Sequence, residues 1–435
     1  MNKLKKFSVS VIIFSASIWS FNISAQNLMG VLQLAEKNDY QWSAIKHGYQ
    51  SNKEVMNKAS AAIKPTLTFN AEVSQETLSS NSYGDDEYDT HRYSATLVQP
   101  VVRLERWHAY KKSRAIDRQV DAEFKSAQQE FYMRVVAVYL DVLRADENVK
   151  FRLAEKSAIK HQLTQTEQRF KADLIANTDV EEARAAFDIS SVQHIIALQD
   201  KEIALESLST LVGRRITMLS GLINSAPVNR PVDLQNWIDQ ALKFSPQLIA
   251  LSYVKNAAQE EFKARRAAHY PTLDLVGSYQ NNDRYIQTSE GSLESTSVSL
   301  KLAVPLYAGG GVGASRRQSQ HLYFQARDEF NYKKREIQQN ASNIFRIVNT
   351  DVSRVLAQKQ SIRSLTSALN ATQAGYKAGT RTIVDVLTAQ QALYGVQRDY
   401  ANARFDYVLD YLKLKQVAGI LAESDISQVN TWFEK

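Results

Sequence analysis

The chain repeats itself at a fixed distance. Residues 375–391 read GYKAGTRTIVDVLTAQQ and residues 169–185 read RFKADLIANTDVEEARA. Both carry an aromatic residue, then Lys-Ala, then an Asp-Val pair nine positions past the aromatic. Phe170 answers to Tyr376 and Asp179 to Asp385, each 206 positions apart. Pro65 and Pro271, in IKPTLTFNAEVSQ (63–75) and HYPTLDLVGSYQ (269–280), keep that offset, as do the runs Leu28 to Ala35 and Leu234 to Ala241. Pro100 and Pro305 pair at 205, so a one-residue deletion lies between. Such an offset is the mark of internal duplication, and it confines the fold to architectures built from two equivalent halves. A solenoid needs at least about three repeats to bury its faces. Something beyond these two copies must complete the structure.

Proline placement divides the chain. Pro227 and Pro231, in NSAPVNRPVD, mark a linker at 225–232 between a first repeat, 26–224, and a second, 233–435. Pro246 follows Ser245 near an expected helix start. The other four prolines bracket two short regions, about 65–100 and about 271–305. The rest is rich in helix formers. From about Leu104 to Ala172 there is neither Pro nor Gly, and apolar residues recur at helical steps, as in Phe131, Val135, Val138, Tyr139 and Val142. That predicts a helix on the order of 100 Å long at 1.5 Å per residue. Ordinary globular helices run about 8–20 residues, so this length implies coiled-coil or repeat packing. Several shorter helices would need turn residues that the stretch does not supply.

The bracketed regions change period. Leu67, Phe69, Ala71 and Val73 alternate with Thr68, Asn70, Glu72 and Ser74, and Val298, Leu300 and Leu302 with Ser297, Ser299 and Lys301. Period two predicts strands with one apolar and one polar face. Each region reads as a hairpin of about ten residues per strand, long enough to cross a bilayer, around the polar loops SSNSYGDDEYDTHR and NNDRYIQTSEGSLE. A soluble hairpin packed on helices alternates equally well. If the strands do span a membrane, counting limits the outcome: four strands cannot close a barrel, and an open sheet edge cannot stand in lipid. Several chains must then share one barrel, and a trimer would supply twelve strands.

The first 25 residues stand apart. Lys3, Lys5 and Lys6 precede the apolar run VSVIIFSASIWSF, and Ile-Ser-Ala ends at Ala25. This reads as a secretory signal peptide at 1–25, its apolar run shorter than the roughly 20 residues of a spanning helix. The chain contains no Cys. That excludes a disulfide framework, thiol metal sites, a Cys nucleophile and a lipid-bearing Cys after the signal. The formal charge of +7 falls to +4 without the three signal lysines, a balance that does not call for nucleic acid. The seven histidines show no metal-binding spacing. GGGVGASRR (309–317) lacks the GK[ST] of a phosphate loop and reads as backbone between a strand exit and a helix. No nucleophile–base pattern is present. The sequence therefore predicts no catalytic residues, no metal, no cofactor and no enzyme.

The sequence resembles the TolC outer-membrane efflux family over essentially the whole mature chain. The likeness is carried by AGYKAGTRTIVDVLTAQQALY with ANARFDYVLDYLKLK, by QRFKADLIANTDVEEARAAFD, by the PTLDL strand opening and by VPLYAGG. The start QNLMGVLQLA, without a lipid-bearing Cys, is similar to the TolC branch rather than the lipid-anchored members. The resemblance implies a homotrimer with a shared twelve-stranded β-barrel, four strands per chain, continued by a long α-helical coiled-coil tunnel into the periplasm. It implies an outer-membrane exit duct of tripartite efflux pumps and type I secretion systems, conducting drugs, small molecules or proteins. Its partners would be a periplasmic adaptor (membrane fusion) protein, an inner-membrane transporter of the RND, ABC or MFS type, and outer-membrane lipid. The competing readings are a periplasmic coiled-coil adaptor with soluble hairpins, and a stand-alone porin, which the long helices oppose.

By the same resemblance the two opening stretches are helical-hairpin tips at the periplasmic entrance, at about 169–180 and about 375–386. Gly375 and Gly379 would shape the second turn, since Gly permits the backbone a tight turn demands. Tyr376 and Arg381 would latch the second tip to Thr178 and Asp179 of the first, and Asp385 would line the entrance constriction. Three copies of Asp385 on an axis would attract cations and raise one another's pKa. The chain departs from the family pattern twice. Thr388 stands where a second aspartate is expected, and Asp173 stands in place of a tip Gly, a position Asp tolerates better than most residues.

Overall fold

The computed structural model describes residues 26–80, 84–223, 226–286 and 289–433. The expected signal peptide lies outside them. The first repeat runs α1 (Leu28–Asn38), α2 (Tyr40–Ala61), β1 (Thr66–Ser80), β2 (Gly84–Val102), α3 (Leu104–Lys171) and α4 (Asn177–Val212). The second gives the same order: α5 (Leu234–Phe244), α6 (Pro246–Ala267), β3 (Thr272–Ile286), β4 (Ser289–Ala303), α7 (Gly311–Lys377) and α8 (Ile383–Val417), followed by α9 (Glu423–Asn430). Helix α3 spans 68 residues and α7 spans 67, each about 100 Å long at the α-helical rise. Pro246 sits at the first position of α6, where a missing N–H costs nothing. Gly309 and Gly310 take left-handed φ values of 57° and 79° and turn the chain from the β4 exit into α7.

The strands are longer than the sequence pattern implied. They run 15, 19, 15 and 15 residues instead of about ten. The stretches taken for polar loops are mostly paired strand, with Ser79 opposite Asp85 and Tyr285 opposite Glu290. Ladder hydrogen bonds join backbone groups, so an antiparallel pair set in register can continue where its side chains are polar. The apolar alternation marks only part of each strand.

The four strands form one antiparallel sheet in the order β1-β2-β3-β4. The two hairpins share one register. Leu67 faces Leu97 in the first and Leu273 faces Leu302 in the second, the same pairs under the repeat offsets. Below the sheet the helices follow the same order: α2 packs on α3, α3 on α6 and α6 on α7. Sheet and helix layer therefore end alike, in β1 with α2 on one side and β4 with α7 on the other.

The main core lies where the chain ends fold back on the long helices. Leu28, Val135, Tyr139, Leu208, Tyr407, Leu412 and Ile426 are all nearly or fully buried there. Tyr139 and Tyr407 also hold the inter-element segments. Tyr139 donates to the Ser220 carbonyl at 2.8 Å, and Tyr407 accepts from Asn229 N–H at 2.7 Å. The outer face of the sheet is the opposite case. Leu67, Phe69, Val73 and Val298 are 73, 68, 70 and 76% exposed, a contiguous apolar band of the kind that marks a membrane or protein partner. No helix among the described residues is long and apolar enough to cross a membrane.

Candidate functional site

The two long hairpins end in tips built to one plan. At the first, Asp173 takes φ 56° and Leu174 N–H donates to the Arg169 carbonyl at 3.0 Å. At the second, Gly379 takes φ 76° and Thr380 N–H donates to the Gly375 carbonyl at 2.9 Å. Each is a Schellman-type end, with a left-handed residue after the last helical turn and a six-to-one bond closing it. Asp173 occupies the position equivalent to Gly379 and bears the left-handed backbone without a glycine.

Gly375 does something else. It lies in the last turn of α7, with no left-handed backbone. A Cβ there would stand 2.8 Å from Cγ of Arg381. Both glycines flank the turn, but in different roles: Gly379 supplies its left-handed backbone, while Gly375 accepts the closing bond and leaves room for Arg381.

Asp385 is also engaged locally. It is the third residue of α8 and closes a capping box, its carboxylate accepting from Thr382 N–H at 3.0 Å and Thr382 Oγ1 at 3.1 Å while its own N–H donates to Thr382 Oγ1 at 3.2 Å. The bond from the Thr382 backbone holds the Asp385 carboxyl below the usual aspartate range, assisted by the Thr382 hydroxyl. The signal was readable in TRTIVD, where Thr precedes an acidic residue by three positions. The first tip has Ala176 at the matching position and no side-chain cap.

Tyr376 is buried, its ring beneath the Arg169 guanidinium at 4.7 Å and its hydroxyl without a partner. Arg381, Thr178 and Thr388 are exposed and Asp179 is half-buried. Among the described residues of one chain, no hydrogen bond or ion pair joins Tyr376 or Arg381 to Thr178 or Asp179. The hairpins meet instead through an apolar cluster that includes Ile159, Ala183, Leu369, Ile383, Val386 and Leu387. Beside it lies a cleft of about 720 Å³ lined by Gln162, Arg169, Gln373, Tyr376, Lys377 and Gln390, among others. Nε2 of Gln162 and Oε1 of Gln390 are buried there without partners, like the Tyr376 hydroxyl. Sequence reasoning passed over Arg169 and both glutamines, because nothing in their spacing separates them from solvated helix positions. No cluster of metal-ligating side chains occurs among the described residues.

A two-edged sheet with an apolar outer face, set on helices about 100 Å long that end in paired polar tips, defines one protomer of an outer-membrane channel. The chain belongs to the outer membrane efflux protein family, whose model matches residues 31–214 and again 237–420, once per repeat. It is 29% identical to the outer membrane protein TolC of Vibrio cholerae, over 99% of this chain and 98% of that one. It is 27% identical to the alkaline protease secretion protein AprF of Pseudomonas aeruginosa, over 93% of this chain and 87% of that one. Among solved structures, the channel CusC superposes with a TM-score of 0.80 at 14% identity, covering 91% of this chain and 92% of that one. The outer membrane protein VceC of Vibrio cholerae gives 0.79 at 16%, covering 90% and 96%. The fold is that of the trimeric channels, internally duplicated, with four strands per chain for a shared barrel above a helical tunnel. The protein is an outer-membrane exit duct serving efflux or secretion systems, and its relatives are channels rather than enzymes.

Proposed function

We propose that three copies close into a passive duct whose periplasmic end is an iris of six helical tips, opened by a periplasmic adaptor docked to an inner-membrane transporter of the RND, ABC or MFS type. The observation that carries this is the matched pair of open edges, β1 with α2 and β4 with α7. A head-to-tail contact between such edges closes into a ring when the rotation allows it. A soluble adaptor with hairpins laid on its helices would cover its strands, whereas Leu67 and Val298 here stand 73 and 76% exposed.

In this reading Tyr376 and Arg381 latch the second tip, with Thr178 and Asp179 as acceptors that belong to the assembled ring, and Asp385 faces the constriction. A forked guanidinium suits carboxylate and carbonyl oxygens. One exposed pair is worth only about 0–1 kcal/mol, but three equivalent pairs acting together can bias a two-state entrance. Thr388 halves the carboxylate count expected at the constriction. The test is single-channel conductance in planar bilayers, wild type against Arg381→Ala with Tyr376→Phe. Low conductance that rises sharply in the double variant supports the latch. High conductance in both shows an entrance that rests open and overturns it.

A further inference from the structure

The internal repeat fixes which residues meet across the seam between copies. Within one chain β2 pairs with β3, and β2 corresponds to β4 at an offset of 205 while β3 corresponds to β1 at 206. The β2–β3 junction is thus a template for the junction between β4 of one copy and β1 of the next. The offsets are already obeyed inside the chain, where both hairpins keep one register. In the template, Leu97 faces Gly277, Thr96 faces Ser278, Ala95 faces Tyr279 and Ser94 faces Gln280.

Carried across by the repeat offsets, these pairs become Leu302 with Ala71, Lys301 with Glu72, Leu300 with Val73 and Ser299 with Ser74. We infer that this is the register of the inter-protomer seam, and that each seam completes a lumen-facing ion-pair node from Lys301 of one copy and Glu72 of the next. The proposal rests on the ring reading above and specifies its contact surface.

Two independent features agree with it. The pleat alternates faces, so a register off by one residue would set apolar side chains beside polar ones along the whole seam. The derived register keeps Leu300 and Leu302 level with Val73 and Ala71 on the apolar face. It also sets opposite charges directly across from each other, which favours a pair, where like charges would oppose it. Glu72 already accepts from Arg92 at 3.2 Å and is still 58% exposed at its side chain. It has capacity for a second cation, because an ionised carboxylate offers about four acceptor sites.

The chain has no cysteine, so introduced thiols are the only ones present. Ser74→Cys is combined in turn with Ser297→Cys, Ser299→Cys and Lys301→Cys, and mild oxidation is applied to outer membranes carrying assembled, conducting protein. Directly opposed residues have Cα atoms about 4.5–5.5 Å apart, inside the range of about 4.4–6.8 Å that a disulfide spans. A slip of two residues moves them to diagonal positions about 7–8 Å apart. The expected result is a covalent trimer formed at least about tenfold faster with Ser299→Cys than with the other two. Fastest linkage at position 297 or 301 would keep the ring and overturn the register. No linkage at any of the three, from conducting protein, would overturn the β4–β1 seam itself.

Discussion

Asp351 carries the strongest conflict between charge and burial at the scale of single residues. It sits on α7, 4% exposed, facing Asp406 and Asp410 of α8. Arg354 binds Asp406 at 2.6 Å and approaches Asp351 only to 3.8 Å, while Arg144 of α3 takes the other Asp406 oxygen at 2.8 Å. The cations are spent on Asp406. Burial, reinforced by the neighbouring Asp410, pushes the Asp351 carboxyl up to about 6. Burial likewise raises Asp410 and Asp141 of α3. The folded state then holds a proton that the unfolded chain has released, so stability falls as pH rises from about 4 through 6 and is flat beyond. Asp351→Asn should remove the Asp351 share of that slope, leaving those of Asp410 and Asp141, and raise stability at pH 7 by about 1–2 kcal/mol. Thermal unfolding of the assembled protein at pH 4.5 and 7.5 checks it. A variant that melts at the wild-type temperature at pH 7.5 would show that the carboxylate is solvated there.

The tips show how far sequence reading reaches at the scale of elements. Their existence and equivalence were legible, because the same offset governs the motif and the turn geometry: Asp173 and Gly379 hold matching left-handed positions. The long helices were legible for the same kind of reason, since an unbroken helical period without Pro or Gly admits little else. What could not be read were strand ends, where the pairing outruns the apolar pattern, and contacts across space, such as Arg169 on Tyr376. The role of Gly375 belongs to that second group, because its partner is six residues away around a turn. Gly375→Ala leaves the helical backbone satisfied but puts a methyl 2.8 Å from Cγ of Arg381. The flexible side chain yields first. The expected outcome is an intact fold with stability within about 0.5 kcal/mol of wild type and a conductance shifted toward that of Arg381→Ala. Unchanged conductance would mean that Arg381 acts from any rotamer, or not at all.

Across the whole molecule, one alternation has to serve two solvents. Even-numbered residues of β4, such as Val298 and Leu300, share the exposed apolar face with odd-numbered Leu67 and Val73 of β1, while Ser295, Ser297 and Lys301 share the other. In an isolated chain both faces meet water, and the apolar one has no partner. In a closed barrel the apolar face meets hydrocarbon and the polar one a water-filled lumen, which is the arrangement of outer-membrane barrels. The two faces therefore predict opposite responses to the same added charge. Val298 lies five residues from the β4 end at Ala303, in the apolar series Val298, Leu300 and Leu302. An arginine on the lipid face costs up to about 2–4 kcal/mol, its value at the bilayer midplane, so Val298→Arg should deplete the assembled protein from outer membranes. Ser295→Arg, three residues away on the lumen face, should assemble at wild-type level and alter ion selectivity, because its charge stays in water. Equal assembly of both variants would show that the Val298 face does not meet lipid, and the apolar band would then need a protein partner to cover it.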